Sequence, residues 1–190
     1  TGPTYEKIDP VRFIGNYSSG KMGFALADEC AARGAEVILV SGPVQLHTHY
    51  PMHQHLCVES AGQMFDAATS LFYNVDVAIM AAAVADYTPE QVADKKIKRE
   101  KTGDMSLNLK PTQDIAACLG EMKERYPDKL KRKNLDFIVL NSLNDKGAGF
   151  RCDTNKISII DRSGKKDYPL KSKAEVAADI IDHLVEVMNS

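Results

Sequence analysis

The 190-residue sequence predicts an α/β domain in three layers around a mostly parallel sheet, and three observations carry that expectation. The runs Ala35 to Val40 (AEVILV) and Val75 to Met80 (VDVAIM) are almost continuously apolar and rich in β-branched residues, as strands covered on both faces must be. Each follows a stretch with helical apolar spacing, Met22 to Arg33 and Ser60 to about Tyr73, so strand and helix alternate. Each also runs straight into turn-forming or small residues, Ser41-Gly42-Pro43 and Ala81-Ala82-Ala83. The length suits one hydrophobic core.

Taken in order, Thr1-Gly2-Pro3-Thr4 has turn composition, and in an α/β domain such a turn follows a strand, expected here before Thr1. Asp9 to Phe13 leads into Gly15-Asn16-Tyr17-Ser18-Ser19-Gly20-Lys21-Met22-Gly23. Small residues directly before an amphipathic run make Ser18-Ser19-Gly20 a loop feeding a helix N-terminus, where free N–H groups and the helix dipole attract anions. The segment reads either as a phosphate cradle or as a helix capped by Ser18 or Ser19. It has neither the G-x-x-x-x-G-K-S/T nor the G-x-G-x-x-G spacing. Gly34 is a good residue to end the helix.

His47, His49, His53 and His55 form two H-x-H pairs in HTHYPMHQH; with no carboxylate or thiolate nearby and Pro51 between them, a solvated loop is favoured over a metal site. A short strand is expected near Leu56 to Val58, then a helix opened by the capping box Ser60 and Gln63. After the strand at Val75 to Met80, the turn Ala81 to Tyr87 lies where open parallel sheets bind ligands, beyond a strand's carboxyl end. Its alanines would let a ligand approach the backbone and Asp86 would supply a polar contact; alternatively the alanines serve tight packing and Asp86 caps a turn.

Lys95 to Lys101, a turn at Thr102-Gly103-Asp104 and the alternating Met105 to Lys110 read as a projecting hairpin. Its apolar Ile97, Met105, Leu107 and Leu109 need a partner surface, so a homodimerisation arm is expected. Pro111-Thr112-Gln113-Asp114 opens a helix to about Arg125. Tyr126-Pro127-Asp128 then runs into the basic Lys129 to Lys133 and a strand at Leu135 to Leu140 with no strand between, so a segment is expected to be missing between Pro127 and Asp128. Beyond a loop from Ser142 to Asp153, Lys156 to Asp161, the turn Arg162 to Lys165 and Asp167 to Leu170 form a strand, turn and strand. The last helix is capped by Ser172 and Glu175 and buries Ala177, Ile180, Ile181, Leu184 and Met188, with His183 in a packing role.

With 24 basic and 26 acidic residues there is no general electrostatic case for nucleic acid or a membrane surface; basic patches in a near-neutral protein suit a small anionic ligand. The four cysteines form no C-x-x-C pair, which fits reduced thiols in the cytoplasm. No apolar run reaches membrane-spanning length and no signal peptide is expected.

Several of these segments, FIGNYSSGKMG, SGPV, AAAVADY, KKIKRE, KPTQDI and KLKRKNLDFIV, stand in the order that resembles the phosphopantothenoylcysteine synthetase family, the ligase half of the bacterial bifunctional coenzyme A biosynthesis protein. The resemblance covers nearly the whole chain and implies a single Rossmann-like, nucleotide-binding ligase domain. It implies joining of 4′-phosphopantothenate to L-cysteine with CTP and magnesium through an acyl-cytidylate, in a homodimer that is part of a larger assembly where a decarboxylase domain is fused. By position, Asn16 and Lys96 would be catalytic. Ser18, Ser19, Gly20, Met80, Ala81, Ala82, Asp86, Lys96, Pro111, Thr112, Gln113, Asp114, Lys129 and Lys133 would contact nucleotide, and Arg12, Asn16, Ala82 and Ala83 the acyl substrate. No metal ligand is assigned. Arg99 departs from the family, standing where its basic motif ends in lysine, which keeps charge but changes geometry.

Two other readings compete. An NAD(P)-dependent oxidoreductase fits the β/α rhythm but expects an acidic residue where the first strand ends in Ser41-Gly42. A non-catalytic nucleotide-sensing module would use the lysine-rich arm as an interaction surface.

Overall fold

The computed structural model describes residues 1–98, 104–125, 135–141 and 152–190. Its elements are β1 (Gly2–Pro3), β2 (Tyr5–Lys7), β3 (Phe13–Gly15), α1 (Lys21–Ala32), β4 (Ile38–Ser41), β5 (Gln54–Cys57) and α2 (Ala61–Leu71), which tightens into a 3-10 turn at Phe72–Asn74. They continue with β6 (Ala82–Ala83), β7 (Tyr87–Pro89), β8 (Leu109–Pro111), α3 (Ile115–Arg125), β9 (Ile138–Asn141), β10 (Thr154–Asn155), β11 (Ile157–Asp161), β12 (Gly164–Asp167), β13 (Lys171–Ser172) and α4 (Lys173–Met188). The fold is mixed α/β.

The parallel part has the order β6-β1-β4-β5. Gly2 pairs with Ala82, and Ile38 with Gln54. Thr1 joins the two pairs, its nitrogen donating to the Val40 carbonyl (2.6 Å) and its carbonyl accepting from Gly42 N–H (2.8 Å). The strands meet so closely that a Cβ on Gly42 would lie 1.6 Å from the Pro3 carbonyl oxygen. An antiparallel set β12-β11-β9 forms a second sheet, and β2-β3, β7-β8 and β10-β13 are antiparallel pairs.

Local chemistry explains the helix ends. At the C-terminus of α1, Gly34 adopts φ 89°, so its N–H reaches the Ala31 carbonyl and that of Ala35 the Cys30 carbonyl, a Schellman closure. Reciprocal capping boxes form at Ser60 with Gln63 and at Ser172 with Glu175. The buried Glu6 carboxylate accepts from Ala61 N–H (2.8 Å), an anion at the positive end of α2. Leu26 of α1 packs with Ile157 and Ile159 of β11 and with Val176, Ala177, Ile180 and Ile181 of α4; the other side of α1 packs Phe24 and Ala27 on Leu39 of β4. Fully burying each such aliphatic side chain is worth about 1.5–3 kcal/mol.

Several expectations are corrected. Gly2 and Pro3 are not a turn but a strand, because Ala82 and Ala83 supply a ladder. Among the described residues, 75–80 form no ladder and are not buried on both faces, Ile79 and Met80 being 42% and 44% exposed; the parallel register of Gly2 with Ala82 would set the strand expected before Thr1 beside them. The described residues of Lys95 to Lys101 do not pair with Met105 to Lys110. The antiparallel ribbon lies earlier, β7 against β8, extended by Thr112 N–H to the Asp86 carbonyl and Glu90 N–H to the Asn108 carbonyl, so residues 91–107 are its connection. The later hairpin turns at 162–163, two residues before its expected end. Met188 is 60% exposed and drops out of the buried stripe of α4, while His183 packs edge-on against Phe137 as expected. The expected break between Pro127 and Asp128, together with Arg99, Lys129 and Lys133, lies outside the described residues.

Candidate active site

The site is assembled from the loop after β3, the turn after β6 and the turn before α3. Gly15 ends β3 beside Tyr5, whose ring stacks on Phe13 (centroids 3.9 Å apart). The next residue, Asn16, donates its side-chain amide to the carbonyls of Ala83 (3.3 Å) and Val84 (3.1 Å), tying the loop to the alanine turn. From below, the fully buried Thr4 hydroxyl accepts from Ala85 N–H (2.9 Å). On the far side Thr112 donates its hydroxyl to the Ala85 carbonyl (2.7 Å), and Asp114 accepts from Ala117 N–H (2.9 Å) at the start of α3. Side-chain-to-backbone hydrogen bonds thus hold three distant segments together.

Beside them opens a cavity of about 1140 Å³. Ser18, Ser19 and Gly20 line one wall, Met80, Ala81, Ala82 and Ala83 another, and Ala116, Ala117 and Phe137 contribute apolar surface. The first turn of α1 faces this space with the amides that no helix can satisfy internally. Gly20, at φ 75°, is the residue that caps α1, while the Ser18 hydroxyl accepts from Gly20 N–H (3.3 Å); neither Ser18 nor Ser19 is the cap. The left-handed backbone there turns the loop sharply into the helix.

Residues that the sequence reading did not single out complete the wall. Lys21 and Lys173 both border the cavity. Lys173 is 7% exposed and donates to the Cys152 carbonyl (2.6 Å); burial pushes its pKa down, and the Lys21 cation nearby pushes in the same direction. Lys21 pairs with Asp153 (2.5 Å), whose carboxyl it holds below the usual range. Asn155 donates to the Asn141 side chain (2.8 Å), and both border the cavity. Lys21 stood inside the FIGNYSSGKMG run as a signal; Lys173 was hidden within a capping box.

The other expected residues lie apart from this cavity. Asp86, Lys96, Pro111, Gln113 and Asp114 are exposed and do not line it. Arg12 is engaged with Asp9, through Nε (3.0 Å) and Nη2 (2.5 Å). In the histidine-rich segment His49 meets Asp28 (2.7 Å) and His55 meets Ser41 (2.7 Å), and the described residues contain no group of three metal-ligating side chains.

A family model for the DNA/pantothenate metabolism flavoprotein C-terminal domain matches residues 1–127 and 124–188. The chain belongs to this family. Among curated relatives of this flavoprotein C-terminal domain, a Cysteine/Cysteine sulfinic acid decarboxylase from an unknown prokaryotic organism is 52% identical over 206 residues, covering 99% of the chain and 57% of the relative. The coenzyme A biosynthesis bifunctional protein CoaBC of Bacillus subtilis is 43% identical over 200 residues, covering 96% of the chain and 49% of the relative. The chain therefore spans about half the length of these proteins. A crystal structure of the C-terminal domain of a CoaBC protein superposes with TM-score 0.78 at 42% identity, covering 99% of this chain and 94% of that one. A Cab2 mutant in complex with phosphopantothenate-cysteine shares the fold at TM-score 0.72 and 14% identity, with 100% and 86% coverage.

Proposed function

We propose that this chain is the phosphopantothenate–cysteine ligase part of coenzyme A biosynthesis, joining 4′-phosphopantothenate to L-cysteine at the expense of a nucleoside triphosphate. The observation that carries this reading is the convergence of the first turn of α1 and Lys21 with the alanine turn to which the Asn16 amide is tied, in a chain 43% identical to a CoaBC protein. Anionic phosphates suit the first feature and a close-lying base or sugar the second.

The chemistry brings two anions together, since the pantothenate carboxylate attacks the α-phosphorus and pyrophosphate leaves. Positive charge and alignment are what a protein can supply to that step. Ser18 to Gly20, Lys21 and Lys173 would hold phosphate oxygens, with Lys96 and the 111–114 turn reaching in from the β7-β8 ribbon. In the second step the cysteine amine attacks the acyl carbon, an amide forms and the nucleoside monophosphate departs with the bonding pair. Asn16 would then donate to the acyl oxygen as charge develops, giving up one contact to the 83–84 carbonyls. CTP is the proposed nucleotide. Magnesium would come with the nucleotide's phosphates.

The layering would be Rossmann-like, a reading supported by the parallel order of β6, β1, β4 and β5 and by the packing of α1 on α4 and α2 on α3. A homodimer through the ribbon is supported by the exposed Val11, Phe13, Val92 and Met105 around its root. A relative aligned over more positions than this chain has residues, with a family match that divides at residues 124–127, supports the expected extra segment after Pro127. A cytoplasmic location is proposed on family grounds; among the described residues no helix is long and apolar enough to cross a membrane.

The deciding experiment incubates the protein with phosphopantothenate, cysteine and either CTP or ATP, following pyrophosphate and the mass of the cysteine adduct. Pyrophosphate release that requires phosphopantothenate, with adduct formation that requires cysteine, is expected. Carbon dioxide release from cysteine without nucleotide, or binding without turnover, would overturn the ligase reading.

A further inference from the structure

Asp9 is fully buried at the end of the β2-β3 hairpin and is surrounded by donors. Its Oδ1 accepts from the backbone N–H groups of Val11 (2.8 Å) and Arg12 (2.9 Å), which shapes the 8–12 turn. Its Oδ2 accepts from both Arg12 Nε and Nη2, two charged donors converging on one carboxylate oxygen. The same Oδ2 also accepts from the backbone N–H of Ile97 (3.1 Å), and Arg12 Nη2 donates to the Ile97 carbonyl (3.1 Å). One ion pair therefore grips both polar groups of a single peptide residue in the ribbon connection, over 80 positions away in sequence. Nearby, Ala93 N–H donates to the Ile8 carbonyl (3.0 Å), and Arg12 Nη1 points at the Met105 sulfur (3.9 Å). The neighbour of the gripped residue is Lys96.

We infer that Asp9 and Arg12 form a clasp whose task is to position Lys96, with Asp9 a positioning residue tied to Ile97 directly and through Arg12 Nη2. The role given to Lys96 rests on the ligase reading; the clasp rests on geometry. A connection with no ladder of its own at 95–98 has little else to hold its register, and an exposed lysine is aimed only as well as its backbone is held. The Arg12 guanidinium also holds the Asp9 carboxyl well below the usual carboxylate range, so Asp9 stays ionised at neutral pH.

The test uses Asp9→Asn, which keeps shape and removes charge, and Arg12→Lys, which keeps charge and removes the fork. Hydrogen exchange read by mass spectrometry should show faster exchange in peptides spanning 91–98 for both variants, with α1 and α4 unchanged. Pyrophosphate release should fall about a hundredfold, the scale of an ångström-sized misplacement of a reacting group. In a Lys96→Gln background, Asp9→Asn should then cost less than about twofold more, because the residue it positions is gone. Losses that multiply in the double variant, or unchanged exchange at 91–98, would overturn the inference. If Asp9→Asn fails to fold, Arg12→Lys decides through the same two readouts, since the Arg12 side chain is 40% exposed. Wild-type protein that makes no adduct defeats the ligase reading alone, and the exchange data still judge the clasp.

Discussion

Asn16→Asp is the most informative perturbation of the site because it exchanges a donor for an anion with almost no change in volume. In the protein, the Asn16 amide donates to the Ala83 and Val84 carbonyl oxygens at 3.3 and 3.1 Å. Each bond, exposed and of ordinary length, is worth about 0.5–1.5 kcal/mol net, so the pair holds the loop to the alanine turn with about 1–3 kcal/mol. A carboxylate would face those oxygens with like partial charge, losing both bonds and adding repulsion. At 1.36 kcal/mol per tenfold, a loss of about 1–3 kcal/mol is about 5- to 150-fold in the step that needs the loop and the amide. The same loss should lower the thermal midpoint by about 2–12 °C. In quenched-flow mass spectrometry, the pyrophosphate burst should survive while acyl-nucleotide accumulates and cysteine adduct lags. Asn16→Ala, which loses the donors without repulsion, should show the same pattern more weakly. Equal loss of pyrophosphate and adduct would refute the assignment to the second step, and wild-type rates in both variants would refute any role.

Gly20→Ala forces a left-handed backbone at about 1–2 kcal/mol and brings a methyl to 3.2 Å from Val44, so calorimetry should show a fall of about 2–8 °C together with weaker nucleotide binding. Thr4→Val keeps shape but removes the acceptor for the buried Ala85 N–H; a loss of about 1–3 kcal/mol in urea unfolding is expected, and no loss would mean the turn is held elsewhere. Lys173→Met removes a cation that burial already disfavours, so pyrophosphate release should fall at least tenfold while the thermal midpoint holds or rises; a large fall in midpoint with activity retained would make Lys173 structural. For Asp9, whose carboxyl is lowered in the folded state, the stabilisation is complete above the unfolded value near pH 4 and is lost as pH falls below it. Acid unfolding of Asp9→Asn should therefore be shallower than wild type in that window.

What the sequence determined by itself was whatever nearest neighbours decide. The capping boxes at Ser60 and Ser172 close within three residues, and Gly34 ends α1 because its own φ can turn positive. Ser18-Ser19-Gly20 was legible as a loop feeding a helix N-terminus for the same reason, and it leads into α1 and lines the cavity. Strand pairing was decided only in the tertiary structure. Gly2 and Pro3 have turn composition and became a strand because Ala82 and Ala83 lie alongside; VDVAIM has strand composition, and the neighbour that register assigns it is the strand expected before Thr1. A ladder needs a partner far along the chain, and composition does not name that partner. The same holds for charge. Lys21 meets Asp153 across 132 positions, and Asp9 reaches Ile97 across 88, so the electrostatics of the cavity and the root of the ribbon existed only once the chain had closed on itself.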